Sequence, residues 1–445
     1  MLNQNHFKIL SLFVSLLTPL HLSLADDSVL SFPEVWRAIR ESSPSERAAI
    51  ASAQAADIAS DRSGRHWYPR VFMDAKAFST NDPTATFFEQ LSEKQITTGN
   101  FNPSLLNNPG SNFFTDVGFG LDLPVCEGGA RVAENESKKT ISQAKSLMVQ
   151  VTLNEDYLSA TQQYGKLIAV GEQEAELKSL QETVTGVINR YQLGGRGNPV
   201  GYSGLLGLKG LRNRIAAALI QNHEEALASK ESLSQMASHD PMNWQPKPQP
   251  FLEFIRESLP ALKSARDSSS ASVKSSQMLA KSQEQASDAE KAKFLPKVGL
   301  FAHESINSGS LGTGNAYSAG AYLQWNLFSA TDYGSIHEAE LRNSESSAHA
   351  DAQALAEGIQ KTQARHADTA SEQSIRLMTE NVKLLAEQTD SSRKLYQSGA
   401  INALQFLEVL SRRADLLSAL TQAELTLLSA RESQLRTSEF EVPRD

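Results

Sequence analysis

Two very long proline-free stretches constrain the fold of this chain more than any other feature. Residues 128–193 and residues 329–398 contain no proline, and each reads as one continuous helix. At 1.5 Å per residue the first would be roughly 100 Å long, whereas helices of globular proteins average about 10–14 residues. Their apolar positions are mostly alanine, so neither helix is stable alone. We therefore expect both to pack against neighbours along their whole length, from the same chain and from others.

One part of the first helix shows the spacing of a coiled-coil seam. Its apolar residues step by three and four positions, which places them on one face of a helix. The residues of this seam are Leu177, Leu180, Val184, Val187 and Tyr191.

The long helices belong to an internal repeat. Residues 68–71 (YPRV) correspond to residues 295–298 (LPKV), and residues 191–194 (YQLG) correspond to residues 396–399 (YQSG). Each copy reads helix, strand, strand, long helix, turn, helix. The first copy has 25 extra residues between its strands, and the second has 11 extra residues before its first strand. Eleven residues make about three helical turns, so we assign them to a longer leading helix.

This repeat divides the chain into four parts: a signal segment at 1–25, a first repeat at 26–246, a second repeat at 247–440 and a tail at 441–445. In the first repeat we predict strands at about 69–79 and 113–125, a long helix at 128–193 and a tip at 194–199. In the second we predict strands at about 296–305 and 316–328, a long helix at 329–398 and a tip at 399–402.

The first 25 residues have the pattern of a signal peptide. Lys8 is the only formal charge before Asp26, an apolar run follows it, and Ser23-Leu24-Ala25 resembles a cleavage site. An uncleaved anchor is the alternative. Beyond this segment no stretch has 18 consecutive apolar residues. If the mature chain spans a membrane, it must therefore do so as a β-barrel.

The predicted strands have one apolar face and one polar or very small face. The clearest case is the second strand, where Val117, Phe119, Leu121 and Leu123 alternate with aspartate and glycine. Such strands fit between lipid and a watery lumen, although a half-buried sheet in a soluble protein explains the alternation equally well. Aromatic residues at the helix-side ends of the strands favour the membrane, because an interfacial girdle would lie there. These residues are Trp67, Tyr68, Trp325 and Phe328.

The composition and the scattered reactive residues point away from several functions. The chain has 42 Lys and Arg against 51 Asp and Glu, a balance that argues against nucleic-acid binding. Cys126 is the only cysteine, so no intramolecular disulfide is possible. His223 and His337 precede acidic residues but lack the second histidine of a zinc helix. We therefore expect no enzyme, no cofactor and no catalytic or metal site.

Two motifs, together with the double repeat, resemble one known family. Residues 123–131 (LPVCEGGAR) are similar to its strand-to-helix motif, with Cys126 in place of the usual aromatic residue. Residues 395–400 (LYQSGA) are similar to its helical-hairpin turn. The family is that of the TolC-like outer-membrane factors of Gram-negative bacteria. The resemblance covers essentially the whole mature chain.

The resemblance implies a mainly α chain with a small β part. Three protomers would each give four strands to a 12-stranded outer-membrane β-barrel, which continues as a long periplasmic α-helical barrel. The protein would then be a homotrimeric, passive exit duct of a tripartite efflux or type I secretion system. Its implied partners are outer-membrane lipid, a periplasmic adaptor and an inner-membrane transporter. The runner-up is a periplasmic coiled-coil adaptor or scaffold without a membrane barrel.

The resemblance also implies functional positions at the two tips. Gln405 and Glu408 align with the acidic lumen gate, so one acidic ring is expected where two are usual. Ile401 stands where an arginine latch is common, and Val200 stands where an acidic residue follows the first tip. The adaptor-docking positions are Leu193, Gly194, Gly195, Ser398, Gly399 and Ala400.

A glycine series after the first tip lies outside the resemblance. Gly201, Gly204, Gly207 and Gly210 are three apart, so a helix here would carry a stripe without side chains. This stripe would make a flexible or closely packed tip. An irregular segment is the alternative.

Overall fold

The computed structural model describes residues 28–192, 201–237, 244–259 and 269–442, and it is dominated by helices. The predicted signal segment, the predicted first tip at 194–199 and residues 443–445 lie outside these ranges. The α-helices are α1 Phe32–Ser42, α2 Pro44–Gly64, α3 Pro83–Ser92, α4 Pro103–Asn107, α5 Ala130–Asn189, α6 Tyr202–Met236, α7 Phe251–Ser258, α8 Ala271–Lys291, α9 Ala330–Gln397 and α10 Ala403–Arg436. The strands are β1 Ser28–Leu30, β2 Arg70–Thr80, β3 Asn112–Glu127, β4 Trp244–Pro246, β5 Lys297–Ser308 and β6 Thr313–Gln324.

Four strands form one antiparallel sheet in the order β2-β3-β5-β6. The two hairpins, one from each repeat, are joined in the middle by β3 and β5, where Asp116 lies opposite Asn307. Within the described residues, β2 and β6 each pair with one strand only. The sheet is therefore open at both edges.

The long helices α5 and α9 contain 60 and 68 residues. The first begins at Ala130 rather than Gly128, because Gly128 and Gly129 have φ angles of +63° and +86°, which a right-handed helix cannot contain. It ends at Asn189, four residues before the expected Leu193. The second is one residue shorter at each end than expected, and the Ser329 side chain caps its first turn.

The helices pack side by side in a consistent order. Along the half of α5 nearest the sheet, α2 lies on one side and α8 on the other, and α9 packs on the far side of α8. Ser137 and Thr140 of α5 hydrogen-bond α8 there, and Asn135 bonds Ser63 of α2. Along the other half, α6 and α10 flank α5, and α9 packs on α10.

Two apolar clusters stabilise this arrangement. The larger lies midway along α5, where α1, α7 and the small parallel pair β1–β4 pack on α5 and α10. Buried hydroxyl groups fix these pieces, since Tyr164 donates to the Leu30 carbonyl (2.7 Å) and Tyr157 to the Ser258 carbonyl (2.9 Å). The smaller cluster lies towards the turn end and contains the predicted seam, with Leu177, Leu180 and Val184 fully buried against α6 and α10.

The assignment of the 11 extra residues to a longer helix is wrong. Helices α2 and α8 both contain 21 residues. The extra residues instead lie between α7 and α8, at 259–270, where the first repeat has Ser43 alone. Ser43 caps α2 directly before Pro44, whereas the matching Leu259 has no side-chain group that could cap a helix. Helix α8 starts only after Ser270, whose side chain accepts the Val273 amide (3.1 Å).

Candidate channel lining and helical tip

One face of the four-stranded sheet is apolar and uncovered. In an antiparallel sheet, residues opposite each other point to the same side, so the register assigns every side chain to a face. On this face Val71 is 73% exposed and Tyr317 is 88% exposed. Glu304 is a charged exception. The apolar residues of this face are Val71, Met73, Ala75, Ala77, Phe113, Val117, Phe119, Leu121, Leu123, Val298, Leu300, Ala302, Ile306, Tyr317, Ala319, Ala321 and Leu323. So large an exposed apolar surface requires another apolar partner.

The opposite face carries most of the sheet's charged residues together with Phe72, Phe78, Phe114 and Phe301, and it is closely packed around glycines. The Phe72 ring lies over Gly120, where a Cβ atom would be only 2.1 Å from it. The hydroxyl of Tyr322 lies 3.3 Å from an oxygen of Asp122. The polar residues of this face include Arg70, Asp74, Lys76, Asp116, Asp122, His303, Ser305, Asn307, Ser318 and Tyr322.

The four aromatic residues predicted for a membrane interface all lie at the helix-side end of the sheet. Trp67 and Tyr68 precede β2, while Trp325 and Phe328 follow β6. All four are exposed. The indole of Trp325 donates to the Phe294 carbonyl (2.9 Å), so its ring is held beside the start of β5. A bilayer interface at this level remains a proposal.

The junction between sheet and helix depends on Gly128 and Arg131. A Cβ atom on Gly128 would lie 2.4 Å from the Cβ of Leu295, so the backbones approach too closely for any other residue. Arg131 makes two bonds to Glu127 (2.6 and 2.8 Å) and donates to the His66 carbonyl (3.2 Å). This contact joins α5 to the start of the first hairpin. The motif was visible in the sequence, but the role of Arg131 was not.

The second tip is a helix C-terminal Schellman turn. The Gly399 amide donates to the Tyr396 carbonyl (3.1 Å) and the Ala400 amide to the Leu395 carbonyl (2.9 Å). Gly399 has a φ of +80°, which explains the glycine. Tyr396 stacks on Phe406 across the turn, with ring centroids 5.5 Å apart. Ser398, Gly399 and Ala400 therefore form a compact end that connects α9 to α10.

The two gate candidates, Gln405 and Glu408, lie in the first turns of α10. Gln405 closes a capping box: its side-chain oxygen accepts the Asn402 amide (3.0 Å), and the Asn402 side chain accepts the Gln405 amide (3.0 Å). Glu408 is exposed and pairs with Arg412 at 2.5 Å. Gln405 thus has a structural role that the sequence comparison did not reveal, and whether either residue faces a lumen stays a prediction.

Beyond the first tip, Gly204, Gly207 and Gly210 lie within α6, so the irregular alternative is wrong for these three. Gly201 has a φ of +57° and precedes the first residue of α6. The Tyr191 hydroxyl donates to the Gly201 carbonyl (2.5 Å), which ties α5 to α6. A Cβ atom on Gly207 would lie 2.4 Å from Cδ2 of Leu407, so α6 and α10 pack closely here. The docking positions Leu193, Gly194 and Gly195 lie outside the described residues, as does Val200.

Buried ionisable groups occur in α10, far from both ends of the molecule. Burial raises the pKa of Glu432 to about 8, and burial together with the charge of Glu172 does the same for Glu424. Arg431 is buried beside Asp368 and pairs with it and with Glu372. The sequence gives no sign of these groups, because their burial depends on contacts between distant helices.

Among the described residues, no group of three His, Cys, Asp or Glu side chains is placed to hold a metal ion. Cys126 is exposed and lies at a shift in the pairing of β3 with β5. None of the described helices combines the length and apolar character that a bilayer span requires.

Comparison with solved structures identifies the fold. The chain superposes on CusC, a protein described by its transmembrane channel formation, with a TM-score of 0.75, 12% identity and coverage of 92% of each chain. It superposes on the CmeC outer-membrane channel of Campylobacter jejuni with a TM-score of 0.73 and 14% identity, covering 93% of this chain and 87% of that one. It also matches the outer-membrane protein VceC of Vibrio cholerae with a TM-score of 0.71 and 14% identity, over 92% and 97% of the two chains.

These similarities lie in structure rather than in sequence. No protein-family model matches the chain, and no curated protein sequence does. The predicted mainly helical chain with a small strand part is nevertheless confirmed, and so is the resemblance to TolC-like outer-membrane factors, at the level of the fold. The chain has the fold of outer-membrane channels.

Proposed function

We propose that this chain is the protomer of a homotrimeric outer-membrane channel, the passive exit duct of a tripartite efflux or type I secretion system. The observation that carries the proposal is the open four-stranded sheet, polar on one face and uncovered and apolar on the other. A free sheet edge attracts another strand, and a closed barrel removes such edges. Lipid is the natural partner of the apolar face, and water of the polar face.

The two open edges of the sheet, at β2 and β6, favour a ring made of several copies of the chain. If β6 of one copy pairs with β2 of the next, the sheet continues in the same order around the ring. The helices next to the sheet have the same arrangement, with α2 at one edge and α9 at the other. Both edge helices carry exposed apolar side chains, among them Ile58 on α2 and Leu341, Leu355 and Ile359 on α9. Three copies with four strands each would give the 12 strands that the resemblance implies.

The helical part supports a duct that extends away from the membrane. A helix of 60 residues spans about 90 Å. The outer membrane would hold the strands, and the periplasm would contain the helices. The turn at Ser398, Gly399 and Ala400, with its counterpart at 193–195, would then meet a periplasmic adaptor and an inner-membrane transporter. Gln405 and Glu408 are our candidates for the gate.

Membrane fractionation of the full chain with native mass measurement tests this function. We expect a trimer in the outer-membrane fraction. A species recovered in the periplasmic fraction would contradict the duct and favour the coiled-coil adaptor or scaffold instead.

A further inference from the structure

The connection between β2 and β3 folds back onto the sheet. This connection contains the 25 residues that the second repeat lacks, and α3 and α4 lie within it. The Glu93 side chain, which directly follows α3, is only 1% exposed. One of its oxygens accepts the amides of Leu311 and Gly312, each at 2.6 Å. These amides belong to the turn of the other hairpin, so Glu93 clamps the first connection to the second hairpin.

The same contact involves the backbone. A Cβ atom on Gly314 would lie 2.4 Å from the Ser92 carbonyl oxygen, and one on Gly309 would lie 2.4 Å from the second oxygen of Glu93. Gln90 adds a hydrogen bond to Ser310 (3.2 Å). The end of α3 therefore contacts the second hairpin at the β5–β6 turn through Gln90, Ser92 and Glu93.

The contact lies on the polar face of the sheet. Lys76, Asp116, Asn307 and Gly314 are successive cross-strand partners and share that face, and Gly314 is where the end of α3 packs. Side chains on the polar face are also more buried at this end of the sheet than side chains on the apolar face. Phe114 on the polar face is 1% exposed, whereas its neighbour Phe113 on the apolar face is 61% exposed.

The other side of α3 is apolar and uncovered. At 100° per residue, Phe88 and Leu91 lie opposite Thr86 and Glu93 on the helix. Thr86 and Glu93 are buried, and Phe88 and Leu91 are exposed. The helix thus turns its polar, clamped side to the sheet and its apolar side away from it.

We infer that α3 narrows the outer mouth of the duct and that Glu93 is the positioning residue that holds it there. This inference rests on the proposed function, in which the polar face lines the lumen. Each copy would then place one α3 inside the barrel, with Phe88 and Leu91 turned to the water path. Apolar side chains at a narrow point exclude water, so α3 sets the size and polarity of what can leave.

Cysteine labelling on intact cells tests the constriction. The background is Cys126→Ser, because Cys126 is the only cysteine and is exposed. A reporter at Ser318→Cys lies on the polar face below α3, and a reporter at Thr98→Cys lies on the exposed surface of the connection. Two membrane-impermeant maleimides are compared, one small and one bulky. In the background protein we expect both reagents to label position 98, and the bulky reagent to label position 318 slowly.

Glu93→Gln weakens the clamp with little change of shape. Because charge-assisted hydrogen bonds are about twice as strong as neutral ones, we expect the bulky reagent to label position 318 roughly tenfold faster. Glu89→Gln is the matched control: it alters a carboxylate one turn earlier on α3 that does not accept the Leu311 and Gly312 amides, so labelling stays slow. A third variant replaces residues 83–107 by a short Gly-Ser turn, and we expect the fastest labelling from it. The amount of oligomer resistant to detergent shows that each variant has assembled.

The outcomes distinguish a failure of the proposed constriction from a failure of the proposed function on which it rests. Equal labelling of position 318 by the bulky reagent in the background, Glu93→Gln and shortened proteins would overturn the constriction and leave the duct intact. If position 98 is not labelled on intact cells, the connection does not face outward, and the proposed function fails together with the constriction.

Discussion

Single glycines decide where the long helices begin and end. Gly128 and Gly129 precede α5, and Gly399 ends the turn after α9, all three with positive φ. The first two glycines are needed for different reasons. Gly128 has a positive φ and also lies in close contact with Leu295, whereas a Cβ atom on Gly129 would meet nothing within 4 Å. The sequence shows that both residues are glycine, but it does not show which of the two lies in close contact with another part of the chain.

Gly128→Ala should destabilise the assembled protein more than Gly129→Ala. Both changes place alanine in a left-handed conformation, which costs about 1–2 kcal/mol. At Gly128 overpacking adds roughly 1–3 kcal/mol, because the new methyl group would meet the Leu295 Cβ and the Ala292 carbonyl oxygen. The check is the dissociation temperature of the purified oligomer in detergent. Equal temperatures for the two variants would show that the close approach is absent.

At the scale of elements, the two faces of the sheet differ in polarity, so the same substitution should have different effects on each face. Ala75 lies opposite Val117 on the apolar face, and Ser318 lies opposite His303 on the polar face. Both are small, exposed and away from the ends of their strands. They therefore make a matched pair for the same substitution.

Ala75→Arg should prevent stable membrane insertion, and Ser318→Arg should not. An arginine facing lipid near the middle of the bilayer costs about 2–4 kcal/mol, whereas one facing the lumen stays in water. The measurement is the fraction of each variant found as oligomer in outer membranes. Similar fractions for both variants would argue that the apolar face is covered by protein rather than lipid.

Many of the strands and helices could be predicted from local sequence patterns. The strand β3 runs from Asn112 to Glu127, where clean two-residue alternation predicted about 113–125, whereas β6 spans Thr313–Gln324 rather than the predicted 316–328. The placement of the 11 extra residues failed, because the match of Leu259 to Ser43 hid the loss of a capping side chain. The Glu93 clamp could not be predicted at all. It joins residues more than 200 positions apart, and no local pattern indicates such a contact.

At the scale of the whole molecule, stability depends on a central cluster that unites both repeats. Helices α1 and α5 of the first repeat meet α7 and α10 of the second there. Glu432 belongs to α10 and is buried, with one carboxylate oxygen among the unpartnered buried atoms of the described residues. An acid in such a place makes the stability of the fold depend on pH.

The unfolding free energy should fall with rising pH because of Glu432. Burial raises the pKa of this carboxyl from 4.5 to about 8, so between these values the folded chain holds a proton that the unfolded chain has lost. Stability from this group is full below pH 4.5 and declines by roughly 1 kcal/mol per pH unit up to about pH 8. Glu432→Gln should remove this group's share of the decline and leave the share of Glu424, whose pKa is raised in the same way, as measured by denaturant unfolding at several pH values. The exposed Glu408→Gln is the control, and parallel curves for Glu432→Gln and the parent would contradict the prediction.

The β3–β5 pairing also determines the order in which the chain can be built. Thr115 lies opposite Ser308, 193 residues later, whereas α5 can form and pack on α2 as soon as the first repeat exists. Local contacts form early and distant strand pairing forms late. The continuous apolar surface of the four strands therefore cannot exist until the second repeat has been synthesised. Until then the growing chain carries only the apolar face of the first hairpin, β2 and β3.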